Sequence, residues 1–270
     1  MEMATANEIS YESYEKGKGL VLSITNSIFG KLDENEEGNI RYRQGSDIDI
    51  SVISRCFSGS NVNVDLIERN NIKLYEIKRE IKNVKQQLKN DKNYKFMIIL
   101  MGSHGTSQDG RTFIYDTNNK LLDIEKEIFA PFYNHEFHEF AGRPKIFILN
   151  CCRGVMDPRF EPQHDGGIIS SQTNLRQTET FKGDMCIVWA TTDGAKALRY
   201  PTEGSPLIQT MCNMIIDKAK NNSLLSRDFS DILKEVKFKV NHDVRLQIVV
   251  QDQLAKPFFL SREGTFSNFC

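Results

Sequence analysis

The feature that most constrains the fold is a pair of short segments that are almost entirely apolar, at 95–101 (KFMIILM) and 145–150 (KIFILN). A strand covered on both faces reads as such a continuous run, whereas a half-exposed strand alternates. A helical stripe lies before the first run, formed by Leu74, Ile77, Ile81, Val84 and Leu88. Alternating strands and helices predict an α/β fold, in which a mainly parallel sheet is flanked by helices on both faces.

The same patterns predict the other elements. Strands are expected at 19–25, 61–67, 185–191, 245–250 and 257–260, and helices at 47–57, 121–132, 206–219 and 228–240. Residues 155–184 have no sustained period and contain prolines and paired glycines, so a long exposed loop is expected there.

Composition limits the possible functions. The chain has 270 residues and is 39% hydrophobic, which suits one large globular domain or two small ones. Its net charge of −1 gives no basic field for nucleic acid or an acidic membrane. No apolar run approaches the roughly 20 residues that span a bilayer, and the polar N-terminus lacks a secretory signal. The six cysteines form no CxxC pair and share no zinc-like spacing with the five histidines. We therefore expect a cytoplasmic protein with free thiols and without a metal or cofactor.

Reactive side chains follow the two apolar strands. The strand at 95–101 runs into GSHG (102–105), and the strand at 145–150 runs into CCRG (151–154). Ligands bind beyond the carboxyl ends of strands in open parallel sheets. If these strands are neighbours, His104 meets a cysteine, the imidazole can take the thiol proton, and the thiolate can attack a carbonyl. Each residue alone is more often structural, but together, beside glycines, they favour acyl transfer.

Several motifs resemble the caspases, the aspartate-directed cysteine proteases. SHG (103–105) and NCCRG (150–154) resemble the family's His and Cys motifs. The segments RQGSDID (43–49), GSPLIQTMC (204–212) and LQIVVQDQLAKPFFL (246–260) resemble further caspase segments in the same order. The resemblance covers nearly the whole chain. It implies a caspase-like fold with a six-stranded, mostly parallel sheet, built from a large and a small subunit region in one domain.

The resemblance also implies roles for individual residues. Cys152 would be the nucleophile and His104 the general acid and base, and the backbone amides of Gly105 and Cys152 would form the oxyanion hole. Arg43 and Arg199 would hold the substrate aspartate, which suits planar, permanently charged guanidinium groups.

Other positions depart from the family pattern. Asn150, which would also bind the aspartate, replaces the usual glutamine and is one methylene shorter. Cys151 stands where alanine is usual and is expected to be packed. Lys196, Leu198 and Pro206 are expected to line the further substrate pockets in place of the usual aromatic residues. Recognition beyond the aspartate is therefore expected to differ from that of other caspases.

The domain boundaries follow from the resemblance. Residues 1–18 are expected to be a short N-terminal segment and 19–165 the large-subunit region. Residues 166–184 would complete the intersubunit loop, and 185–270 would form the small-subunit region. Asp165, which precedes two glycines, is the expected processing site.

The expected function is that of a short-prodomain, effector-type caspase acting in apoptosis. The expected partners are protein substrates, a second copy of the chain, an upstream initiator caspase and inhibitor-of-apoptosis proteins, with no nucleic acid and no membrane. Two alternatives remain open. One is a weakly active or inactive homologue that regulates another caspase by heterodimerisation, and the other is an unrelated cysteine-dependent enzyme such as an amidase.

Overall fold

The structure is a computed structural model that describes residues 12–30, 41–58, 61–154, 182–243 and 246–261. Its strands are β1 (Lys18–Thr25), β2 (Ile28–Phe29), β3 (Arg41–Tyr42), β4 (Val64–Asn70), β5 (Tyr94–Gly102), β6 (Gly105–Gln108), β7 (Arg111–Tyr115), β8 (Leu121–Asp123), β9 (Lys145–Asn150), β10 (Met185–Trp189) and β11 (Val249–Asp252). Its α-helices are α1 (Ser46–Cys56), α2 (Leu74–Asn90), α3 (Pro206–Lys220) and α4 (Phe229–Asp243).

Six of the strands form the central sheet, in the order β11-β10-β9-β5-β1-β4. The first five from the β4 edge are parallel, and β11 runs antiparallel to β10. This confirms the predicted six-stranded, mostly parallel sheet. Strands β6, β7 and β8 form a separate antiparallel sheet, and β2 pairs with β3.

The two faces of the sheet bury two separate apolar clusters, because side chains alternate along each strand. On one face, strand residues such as Ile98 and Ile148 pack with α1, α3 and α4. On the other face, residues such as Ile99 and Phe147 pack with α2 and with the helical turns between 125 and 140. Both faces are therefore covered, which explains why β5 and β9 are almost entirely apolar.

The expected helix at 121–132 is wrong over its first part. Residues 121–123 form β8, in which Leu121 and Asp123 pair with Tyr115 and Phe113 of β7. A π-helical turn (Glu125–Phe129) and a 3₁₀ turn (Ala130–Phe132) follow. Single 3₁₀ turns also occur at His138–Phe140 and Leu224–Ser226. Tertiary pairing with β7 thus overrides the local helical pattern.

The two strands expected near the end of the chain also differ. Of the strand expected at 245–250, residue 245 lies outside the described residues, and residues 246–248 precede the strand, which begins at Val249. The Ile248 N–H instead bonds the side chain of Asn241 at 3.1 Å. Residues 257–260 form no strand. Phe258 lies between the rings of Phe96 and Phe229, with centroids 4.9 and 5.6 Å away. The apolar residues of this segment are therefore explained by side-chain packing of an extended chain and not by strand pairing. No helix in the described part of the chain is long and apolar enough to cross a membrane.

Candidate active site

The candidate site lies at the carboxyl ends of β5 and β9, which pair directly. Gly102 lies opposite Asn150 at the end of the ladder, and the Ser103 N–H donates to the Asn150 carbonyl at 3.4 Å. His104 and Cys152 therefore leave the same edge of the sheet, and both are half-buried. The condition set by the sequence analysis, that the two strands be neighbours, is met.

Gly105, the first residue of β6, allows the two catalytic loops to approach. A Cβ atom at this position would lie 2.5 Å from the Cys152 carbonyl oxygen and 2.8 Å from the Cys151 Cβ. Real Cβ atoms do not come so close to other heavy atoms, so a side chain here would push the loops apart. This close contact therefore requires glycine at position 105. The resemblance assigns the backbone amide of the same residue to the oxyanion hole.

The two adjacent cysteines have different environments. Cys151 is 1% exposed, and burial raises the pKa of its thiol to about 12, so it stays protonated at neutral pH. Cys152 is half-buried, and its thiol faces the Ala197 carbonyl oxygen with a separation of 4.0 Å between Sγ and oxygen. Of the two, Cys152 is the thiol that a substrate can reach.

His104 is held by the strands around it. Its ring packs against the buried ring of Phe29, with centroids 4.6 Å apart and planes at 54°. Its carbonyl accepts the Tyr115 N–H at 3.0 Å, which ties the backbone to the end of β7. These contacts fix the imidazole at the sheet edge beside the Cys152 loop.

Arg43 forms the floor of a charged pocket. It is 4% exposed, and it donates to the Ser46 Oγ at 3.0 Å and to the Asn150 carbonyl at 2.9 Å. Burial, followed by the positive charge of Arg199, lowers the pKa of Arg43 to about 9. The guanidinium group is therefore desolvated and next to a like charge, which a substrate carboxylate would relieve.

Arg199 reaches the pocket from the small-subunit region. Its Nε donates to the Gln44 carbonyl at 2.5 Å, one residue after Arg43. Burial lowers the pKa of Arg199, and Asp49 acts in the opposite direction. Gly45, with φ of 80°, permits this junction, because a Cβ there would lie 2.3 Å from the Tyr200 carbonyl oxygen. The structure thus brings together the two arginines that the sequence analysis assigned to the aspartate.

A buried carboxylate beside the pocket was missed by the sequence analysis. Asp49 is 2% exposed and accepts the Ser205 N–H at 2.8 Å, the Ser205 hydroxyl at 2.5 Å and the Gln209 amide at 2.9 Å. It joins α1 to the start of α3. The helical spacing could have indicated that this carboxylate is buried, because Asp49 shares a helical face with the apolar Val52, Ile53 and Cys56.

Asn150 is part of this Asp49 network. Its amide nitrogen donates to the Ser205 Oγ at 2.8 Å and lies 3.4 Å from Asp49, while its Oδ1 is buried without a hydrogen-bond partner among the described residues. Because the Ser205 hydroxyl donates to Asp49, its oxygen must accept from the Asn150 amide. Binding of this amide to a substrate aspartate, as predicted, would require these bonds to be released.

The predicted pocket residues lie between the end of β10 and the first turn of α3. Lys196 is exposed and Leu198 half-buried, whereas Pro206 is buried in the first turn of α3. Asp165 lies outside the described residues. Among the described residues, no group of three or more His, Cys, Asp or Glu side chains could hold a metal ion.

Arg153 follows the nucleophile but is directed away from the aspartate pocket. Its guanidinium group lies 4.2 Å from the centre of the Trp189 ring and 3.6 Å from the Asp193 carboxylate. Its backbone N–H donates to the Ala195 carbonyl at 2.8 Å. The residue thus fastens the nucleophile loop to the 193–195 segment.

Comparisons with known proteins agree with this geometry. A family model described as "Caspase domain" matches residues 18–259. Caspase-8 of Rattus norvegicus is 23% identical over 265 residues, which cover 95% of this chain and 52% of that protein. Caspase-2 of Gallus gallus is 23% identical over 224 residues, covering 79% and 50%. Caspase-3 of Oryctolagus cuniculus is 27% identical over 233 residues, covering 86% and 75%.

The structural comparison gives the fold. The crystal structure of caspase-1 from Spodoptera frugiperda matches with a TM-score of 0.67 at 18% identity, covering 93% of this chain and 94% of that one. The chain spans about half the length of the caspase-8 and caspase-2 relatives. The family match nevertheless includes both site strands and both pocket arginines. The chain therefore belongs to the caspase family of cysteine-type endopeptidases.

Proposed function

We propose that this chain is a cysteine endopeptidase that cleaves protein substrates after aspartate. The observation that carries the proposal is the pair of desolvated guanidinium groups, Arg43 and Arg199, beside the accessible thiol of Cys152. Arg43 is buried and Arg199 is half-buried, so the repulsion between their like charges is poorly screened, and a carboxylate placed between them relieves it. Aspartate has the short acidic side chain that suits such a pocket.

The chemistry follows from the side chains at the sheet edge. His104 takes the proton of the Cys152 thiol, and the thiolate attacks the carbonyl carbon of the aspartate. The Gly105 and Cys152 amides stabilise the oxyanion that forms. The imidazolium then protonates the leaving amine as the C–N bond breaks. A water molecule, deprotonated by His104, then attacks the thioester carbonyl. The C–S bond breaks, the aspartate leaves with a new α-carboxylate, and the proton returns from His104 to the Cys152 sulfur.

The test compares peptides that differ only in aspartate, asparagine or glutamate before the scissile bond. We expect kcat/KM to be highest for aspartate, because each charged contact that is lost costs about 2–5 kcal/mol. Arg43→Ala or Arg199→Ala should lower kcat/KM for the aspartate peptide by a factor that corresponds to this free energy. The same substitutions should lower kcat/KM for the asparagine peptide less. Equal kcat/KM for aspartate and asparagine in the unmodified protein would contradict the proposal and favour an amidase.

The cellular part of the proposal is an effector-type role in apoptosis. In this role the cytoplasmic protein would be activated by an upstream initiator caspase and restrained by inhibitor-of-apoptosis proteins. This part of the proposal is supported by the similarity to caspase-8, caspase-2 and caspase-3, at 23–27% identity. Expression in cells should produce death-associated cleavage of cytoplasmic proteins, and Cys152→Ala should abolish it. Equal effects of the two forms would contradict a protease role.

A second candidate is a weakly active homologue that regulates another caspase by heterodimerisation. Two observations favour it: the Asn150 amide is engaged with Ser205, and the Ala197 carbonyl faces the Cys152 thiol. In this case the Cys152→Ala form should alter a partner caspase as strongly as the unmodified protein does. Mixing each form with that caspase and measuring the partner's activity separates the two functions.

A further inference from the structure

One cation, on the residue before Ala197, has no part in the chemistry above. Lys196 is exposed and lies between two residues that contact the nucleophile loop. The carbonyl of Ala195 accepts the Arg153 N–H at 2.8 Å, and the carbonyl of Ala197 lies 4.0 Å from the Cys152 Sγ. The backbone on both sides of Lys196 is thus fixed against the site.

The side chain of Lys196 lies on the outer side of this segment. Ala197 packs against the apolar cluster of α1, α3 and α4, whereas Lys196 is exposed. The aspartate pocket is on the inner side, where Arg43 is 4% exposed. Successive side chains of an extended peptide point in opposite directions. With the aspartate directed inward to Arg43, the preceding substrate residue points outward, toward the side on which Lys196 is exposed.

Among the described residues, the other charged side chains close to the site have partners or a role in binding the aspartate. The guanidinium group of Arg153 faces Asp193 at 3.6 Å, and the carboxylate of Asp49 accepts bonds from Ser205 and Gln209. Arg43 and Arg199 serve the aspartate. In the described part of the chain, Lys196 is therefore the positive charge that faces the neighbouring substrate position, and it attracts a negative side chain there.

We propose that Lys196 selects substrates in which an acidic residue immediately precedes the aspartate. The inference rests on the proposed cleavage after aspartate and adds a substrate class, an acidic residue followed by aspartate. An exposed ion pair is weak and is screened by salt. The preference should therefore be modest, roughly two- to fivefold in kcat/KM, and should diminish as salt is added.

The test uses two peptides with glutamate or glutamine before the aspartate, because these side chains have the same length and differ in charge. The full chain should cleave the glutamate peptide roughly two- to fivefold better. Lys196→Gln should bring the ratio of the two kcat/KM values to one, and Lys196→Glu should invert it. Lys82→Gln, at an exposed lysine of α2, is the matched control and should keep the original ratio.

The outcomes separate this inference from the proposed function. An unchanged glutamate-to-glutamine ratio in Lys196→Gln overturns the role of Lys196, as does a ratio of one in the unmodified protein. A third peptide with asparagine in place of the aspartate tests the pocket itself. If the unmodified protein does not require the aspartate, the proposed function fails and this inference fails with it. If the aspartate is required but the charge before it has no effect, only this inference fails.

Discussion

Cys151 and Cys152 have the same side chain one position apart, and burial separates their chemistry. Because the Cys151 thiol is enclosed at 1% exposure, neither a base nor a substrate reaches it. We predict that Cys152→Ala abolishes hydrolysis, while Cys151→Ala changes it little. Labelling by an irreversible aspartyl ketone, followed by mass spectrometry of the peptides, should find the adduct on Cys152. An adduct on Cys151 would show that the assignment is wrong.

Asp49 supports the pocket without contacting the reacting atoms. Both of its oxygens accept hydrogen bonds from the start of α3, so Asp49→Asn would place an amide N–H₂ against other donors. We predict a loss of about 2–3 kcal/mol in the free energy of unfolding, measured in urea. We also expect a lower kcat/KM, because Ser205 and Asn150 lose their common partner.

The matched control for this change lies two residues away. Asp47 is exposed in the first turn of α1, so Asp47→Asn should cost less than about 1 kcal/mol. Equal destabilisation by the two substitutions would show that the Asp49 network is not what joins α1 to α3.

Most of the candidate site could be predicted from the sequence, but not all of its contacts. His104, Cys152, Arg43 and Arg199 lie in short motifs, and the structure brings all four to one region. The engagement of Asn150 with Ser205 could not be predicted, because it joins residues 55 positions apart through side chains alone. Motifs reveal residue types, whereas the direction of an amide depends on partners that only the folded chain assembles.

At the scale of elements, the sequence predicted those with strong periodicity. Strands β5 and β9 and helix α2 appear where apolar runs and stripes indicated them. The apolar pattern predicted a strand wrongly at 257–260, where side chains are buried without strand pairing. Phe258 and Leu260 are buried, but in an extended segment without a ladder, and a period alone does not distinguish these cases.

The edge strand β11 provides a prediction at this scale. It pairs with β10 on one side and is the last strand of the sheet, and such an edge can join a second sheet. We expect two chains to pair there, so that sedimentation gives twice the 31.0 kDa mass of the chain.

Two matched lysine substitutions test this pairing. Val250→Lys on β11 should yield monomers, because an edge lysine opposes strand pairing. Ile67→Lys, on the opposite edge strand β4, should leave the dimer intact. A monomer under all conditions, or dimers in both variants, would count against the β11 interface.

At the scale of the whole molecule, the expected large and small regions are closely joined. Strand β9 pairs with β10 along five residues, and Asp49 bonds Ser205 across the same boundary. We predict a zymogen that is activated by cleavage after Asp165 and whose fragments stay associated, because the aspartate pocket takes one arginine from each. The new N-terminus should be Gly166-Gly167-Ile168 when the small fragment is sequenced.

The control for this prediction is Asp157, another aspartate of the same loop, which precedes a bond that is hard to cleave. Asp157 is followed by Pro158, whose ring and missing N–H hinder cleavage, so Asp157→Ala should activate normally. Asp165→Ala should remain an inactive single chain. Full activity of the uncleaved Asp165→Ala protein would show that the loop is not the switch.

The stacking of Arg153 on Trp189 has a practical consequence, because Trp189 is the single tryptophan of the chain. Its ring touches the nucleophile loop on one side, and its Nε1 donates to Gln251 of β11 at 3.5 Å on the other. When excitation is set beyond the absorption of the tyrosines, the tryptophan fluorescence of the chain therefore comes from one known point between the catalytic loop and the sheet edge. If activation or pairing moves either neighbour, the emission should change in intensity and wavelength, so both events can be followed in real time without an added dye.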